Sequence, residues 1–139
     1  MRRYLARISG PLLDRIDLHV EVPRLAYTAL APTAQAAESS AVVAARVRDA
    51  RVRQAARGAL NAALAAKSLD AACELGLREH GLLDAASRRL GLSARACHRI
   101  LRVARTIADL ADLARVGVGE LSEAIGYRRL DREPQPAAG

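Results

Sequence analysis

Arginine carries most of the chemistry this sequence offers. Of its 22 basic residues all but Lys67 are arginine, set against 15 acidic residues, for a net charge of +7. A guanidinium is a planar fork that grips phosphate or carboxylate at two points, so the excess suits a nucleotide or nucleic-acid partner. A GC-rich coding bias, which swells alanine and arginine together, is the other source of such a composition. Two arginines stand out by position. Arg15 lies between Asp14 and Asp17, close enough in sequence to pair with either. Arg95 falls in the first turn of a predicted helix behind Ser93, where free backbone amides already favour an anion. Farther along that helix His98, Arg99, Arg102, Arg105 and Asp109 recur at helical spacing, a stripe for solvent, for a nucleic-acid path or for a subunit interface. Cys73 and Cys97 have no companion spacing and His19, His80 and His98 are scattered. No metal site can be drawn from them, and the two thiols read as reduced core residues.

These residues need a scaffold, and 139 residues make one small domain, which excludes a large enzyme. No uncharged apolar run approaches the ~18 residues of a membrane span, and Arg7, Asp14 and Arg15 interrupt any targeting peptide that Arg2 and Arg3 would begin. The reading is a cytoplasmic protein with no membrane partner. Ser9-Gly10-Pro11 opens a short helix of about one turn. Residues 16–22 then alternate apolar and polar without a miss, the pattern of a strand with one buried face, and Pro23 ends it. No second stretch shows that alternation, so the strand is expected to belong to an α/β core whose other strands lie upstream of Met1.

An uncharged linker over 25–37 leads into helices. The first runs from about 38 to Gly58, with Val43, Val47, Ala50 and Gln54 on one side. A shorter one is predicted over 69–75 behind Ser68, stopped by Gly76. Another covers 79–90, with Leu82, Leu83, Ala86 and Leu90 inward and Gly91 as a left-handed cap. Ser93 caps the strongest helix, about 94–112, whose apolar stripe is Cys97, Ile100, Leu101, Ala104, Ile107, Ala108 and Ala111. A last helix covers about 120–128, with Tyr127 packing on the bundle, and 133–139 is a proline-rich tail too polar to fold. The expected fold is therefore all-α, a small helical bundle over 38–132, preceded by a segment 1–24 with one short helix and one strand of a core made elsewhere.

The run Ser9-Gly10-Pro11-Leu12-Leu13-Asp14-Arg15-Ile16-Asp17-Leu18, with the alternating strand and Pro23 behind it, resembles the end of the ATPase core in AAA+ proteins of the magnesium-chelatase-like group, and is most similar to the ComM/YifB branch. Three later stretches resemble the same branch in the same order: residues 38–62, the Gly91-Leu92-Ser93-Ala94-Arg95-Ala96 turn with its helix to Leu110, and Tyr127-Arg128-Arg129-Leu130-Asp131-Arg132. The resemblance implies the C-terminal part of an ATP-driven, competence-associated ring, expected to be a hexamer, in which nucleotide sits between neighbouring subunits. ATP and Mg2+ would be the cofactors of the whole protein, with none bound by this portion alone. The sequence holds no Gly-x-x-x-x-Gly-Lys-[Ser/Thr] loop and no strand ending in paired acids for magnesium, so ATP hydrolysis by this chain alone is not expected.

By the same resemblance Arg15 is the arginine finger that reaches a γ-phosphate held by the adjacent subunit. Arg95 is the lid arginine that senses the nucleotide phosphate. Arg99, Arg102 and Arg105 are weaker candidates for nucleic-acid or interface contact, with DNA as a further partner. Two other readings stay open. Residues 83–102 look like a helix-turn-helix, with Ser87 and Cys97 departing from its usual pattern, which would make the chain a DNA-binding module. Alternatively the bundle only docks subunits and has no nucleotide role.

Overall fold

The structure, a computed structural model, describes residues 15–20, 22–24 and 38–128. Five α-helices and one 3₁₀ turn account for most of it: α1 (Ser40–Ala56), the turn Asn61–Ala63, α2 (Ala66–Cys73), α3 (Leu77–Leu90), α4 (Ala94–Leu110) and α5 (Val118–Gly126). Local chemistry sets their starts. Ser39 and Ser93 accept hydrogen bonds from the amides of Val42 and Ala96, the latter at 3.1 Å. The carboxylates of Glu79 and Glu120 reach back to the amides of Gly76 and Gly117 at 3.0 and 2.9 Å, half of a capping box at each.

The apolar stripe of α4 places that helix at the centre. It packs against α1, α2, the 3₁₀ turn and α5, while α3 lies mainly on α5. Leu64, Leu69, Cys73, Ile100, Leu101, Val116, Leu121 and Ile125 fill the space between them. Ala96, Ala104 and Ala108, all fully buried, let the neighbouring elements approach closely. The amide of Val116 donates to the Cys73 carbonyl at 3.0 Å, tying the loop before α5 to the end of α2.

The all-α bundle is as the pattern predicts, and several details differ for physical reasons. Val43 and Val47 are exposed, whereas Ala50 and Gln54 farther along the same row are buried, because only the C-terminal half of α1 is covered. Helix α2 begins at Ala66, ahead of Ser68, and it ends without a glycine: Glu74 takes the left-handed conformation at φ 48°, which leaves Gly76 to start α3 at Leu77. Gly91 is the left-handed cap of α3 at φ 63°. Arg105 and Asp109, expected on the solvent stripe of α4, are 1% and 0% exposed. Leu101, Arg105 and Asp109 follow one another at intervals of four, which sets the two charges at the edge of a buried face that is wider than the apolar residues alone suggest.

No strand forms among the described residues, 16–20 and 22 included. A strand is a paired structure, and the described part of the chain supplies no edge to pair with. The short helix expected near Pro11 (apart from Arg15), the linker 25–37 and the tail 133–139 lie outside the described residues. Among the described residues no helix is long and apolar enough to cross a membrane.

Candidate functional site

The segment that begins at Arg15 lies against the bundle along one edge only. Arg99, on α4, donates from Nη1 to the Arg15 carbonyl at 2.8 Å and to the Asp17 carboxylate. Arg128, just past α5 and 1% exposed, donates from Nη1 to the Ile16 carbonyl at 2.5 Å. The His19 amide donates to the Tyr127 carbonyl at 2.8 Å, and the His19 side chain is buried beneath it. Along the other edge Ile16, Leu18, Val20 and Val22 are 38, 46, 66 and 81% exposed. The bonds to the helices come from the backbone of Arg15, Ile16 and His19 and from the Asp17 carboxylate, and among the described residues of this segment only the His19 side chain is buried, Asp17 being as exposed as its apolar neighbours.

That docking bonds the backbone of Arg15 to Arg99, which lies one helical turn along α4 from Arg95. Arg95 and Arg99 are four residues apart on α4, about 6 Å between their Cβ atoms, so they share a face. Both Arg15 and Arg95 are exposed, and neither side chain forms an ion pair among the described residues. Asp17, the sequence-level partner for Arg15, pairs with Arg99. Asp14 lies outside the described residues. The Ser93 cap holds the first turn of α4 in place beneath Arg95.

The remaining arginines of α4 are tied inward. Arg102 donates to the Leu64 carbonyl at 3.0 Å. Arg105 donates to the carbonyls of Ala72, Leu113 and Ala114 at 3.1, 2.6 and 2.8 Å and to the Asp109 carboxylate at 3.0 Å. It thereby satisfies a carbonyl in the last turn of α2, which helix geometry leaves without a partner, and two in the loop after α4. Asp109 also accepts from Arg57 at 2.5 Å and from Asn61 at 2.8 Å, which closes a buried knot among α1, the 3₁₀ turn and α4. Beside it, burial pushes the Cys73 thiol up to about 11, against the opposing pull of Arg105. On the surface, a hydrogen bond to Glu123 raises the Tyr127 phenol above its usual range.

Arg128 and Asp17 carry contacts that the sequence reading did not assign to them. Arg128 follows Leu121, Ala124 and Ile125 at helical spacing, so a charge on an apolar stripe was the available signal. Among the described residues no group of His, Cys, Asp and Glu is placed to hold a metal. The chemistry on offer is two exposed guanidinium groups without an ion pair among the described residues, Arg95 in the first turn of α4 and Arg15 on the segment bonded to Arg99, each suited to an anion. In the region read as a helix-turn-helix, α4 is the central helix of the bundle, with seven buried residues.

Residues 37–128 match the family described as magnesium chelatase, subunit ChlI C-terminal, and residues 1–30 match that of magnesium chelatase, subunit ChlI. The chain is 45% identical over 131 residues to competence protein ComM of Haemophilus influenzae and 44% identical over 131 residues to YifB of Escherichia coli K12, in each case 94% of this chain and 26% of the relative. An uncharacterized protein of Mycobacterium tuberculosis is 38% identical over 137 residues, again across 26% of its own length. The chain therefore spans about a quarter of the curated relatives it matches.

Proposed function

The chain belongs to the magnesium chelatase ChlI C-terminal family, and from that membership we propose that it is the C-terminal region of a ring-forming AAA+ ATPase, with residues 1–24 closing the nucleotide-binding core and 38–132 forming its helical lid. Arg15 is the finger directed at the γ-phosphate held by the neighbouring subunit, and Arg95 is the lid arginine that contacts a nucleotide phosphate. The observation carrying this reading is the docked segment: its backbone and the Asp17 carboxylate are bonded to Arg99, Arg128 and Tyr127, while the side chains of Ile16, Leu18, Val20 and Val22 are exposed as the inner row of a sheet would be before its partners are added.

The residues present fit the phosphate end of ATP. Two exposed guanidiniums, Arg15 and Arg95, are available to it. Magnesium with ATP supplies charge neutralisation at the phosphates. What this chain adds is a fixed cation where charge accumulates on the transferred phosphoryl group, an effect of ~10³ to 10⁵ in rate for such fingers. Hydrolysis moves the lid against the next subunit in a hexameric ring, and the resemblance to a competence protein supports DNA processing as the work done.

Arg15→Ala in the full-length protein, assayed for ATP turnover alongside ring assembly, tests the proposal. Turnover is expected to fall by ~10³ or more with rings intact. Unchanged turnover per assembled ring would instead make the chain a docking domain with no nucleotide role.

A further inference from the structure

The geometry points to Arg99 as the positioning residue of the finger: it fastens the Arg15 backbone to α4, so that Arg15 and Arg95 move as one body when the lid moves. The inference rests on the proposed role of Arg15 and adds a residue that the family resemblance left as a weak nucleic-acid or interface candidate. One guanidinium nitrogen of Arg99 bonds both the carbonyl of Arg15 itself and the carboxylate of Asp17, which ties the arginine's own peptide and the residue two positions on to the same point of α4. The side chain of Arg99 is largely covered, 22% exposed, so its aim is set by packing rather than by solvent. Arg128 and the Tyr127 carbonyl secure the later residues Ile16 and His19. Arg95 lies one turn away on the same face and forms no ion pair among the described residues. A displacement of the lid that changes the reach of Arg95 therefore changes the reach of Arg15 by the same rigid connection. Arg99 touches no phosphate in this scheme. It acts by holding another group, and misplacement of a catalytic group by about 1 Å costs ~10²-fold in rate.

The test compares Arg99→Ala, Arg99→Lys and Arg15→Ala in the full-length protein, reading kcat and KM for ATP and the amide exchange of His19. Arg99→Ala is expected to lower kcat by ~10²-fold with KM for ATP unchanged, and to speed exchange at His19 while the α4 amides stay protected. Arg99→Lys, which keeps the charge and can donate to both oxygens, is expected to recover part of kcat. If Arg15→Ala abolishes turnover while Arg99→Ala keeps wild-type kcat, the inference is overturned and the finger reading stands. A loss that appears only as a raised KM for ATP, or together with exposure of the α4 amides, overturns it as well. If Arg15→Ala leaves turnover unchanged, the finger reading fails. Exchange at His19 in Arg99→Ala then decides whether the clamp exists apart from it.

Discussion

The two ends of α4 use the same residue type for opposite purposes. At the C-terminal end Arg105 is enclosed, and its donors meet Asp109 and three backbone carbonyls. At the N-terminal end Arg95 stands in solvent, and Arg99 below it holds a separate segment in place. A buried charge persists only when paired and hydrogen-bonded, so the inner arginine is fixed by what surrounds it. An exposed one at a helix start costs the fold little and stays available to an anion. Composition alone cannot separate the two roles, because both count equally toward the net charge.

Perturbing the inner end should damage the fold most. Asp109→Ala leaves Arg105 buried without its carboxylate and removes the acceptor shared by Arg57 and Asn61. A loss of about 3–5 kcal/mol in urea unfolding is expected. Next in size is an alkaline effect of the same region. The Cys73 thiol sits at about 11 in the folded chain against 9.0 when unfolded. Below pH 9 both states keep the proton. Between pH 9 and about 11 the unfolded chain releases it first, so stability falls as pH rises, by about 2–3 kcal/mol across the window. Comparing unfolding midpoints at pH 8 and 10.5 measures the slope, and Cys73→Ala should flatten it. At the outer end Arg95→Ala should change stability by about 0.5 kcal/mol or less while reducing ATP turnover of the full-length protein. A large loss of stability there would erase the contrast between the two ends.

Much of the bundle was legible because α4 repeats its apolar residues at three and four and because Ser93 and Gly91 mark helix limits by chemistry that sequence displays. Glu74 was not legible as a stop, since a left-handed glutamate carries no compositional sign; its amide donates to the Asp70 carbonyl at 3.1 Å and closes the helix. Val43 and Val47 look as buried as Ala50 in a periodic count, but periodicity does not report where a neighbouring helix ends. Arg105 and Asp109 were misplaced for a related reason: a charge sequence reads as solvent-facing until both partners and the waiting carbonyls are known. The alternation of residues 16–22 marks Ile16, Leu18, Val20 and Val22 as one apolar row, and their side chains are exposed because the described residues contain no sheet to cover them.

The most direct measurement mixes two inactive full-length variants, Arg15→Ala and one whose phosphate-binding loop is disabled, and follows ATP hydrolysis. A finger that serves the neighbouring subunit creates working junctions wherever an intact Arg15 meets an intact loop, so turnover should reappear on mixing at a fraction of the wild-type rate. A mixture that assembles into rings and stays as inactive as its components would contradict the account.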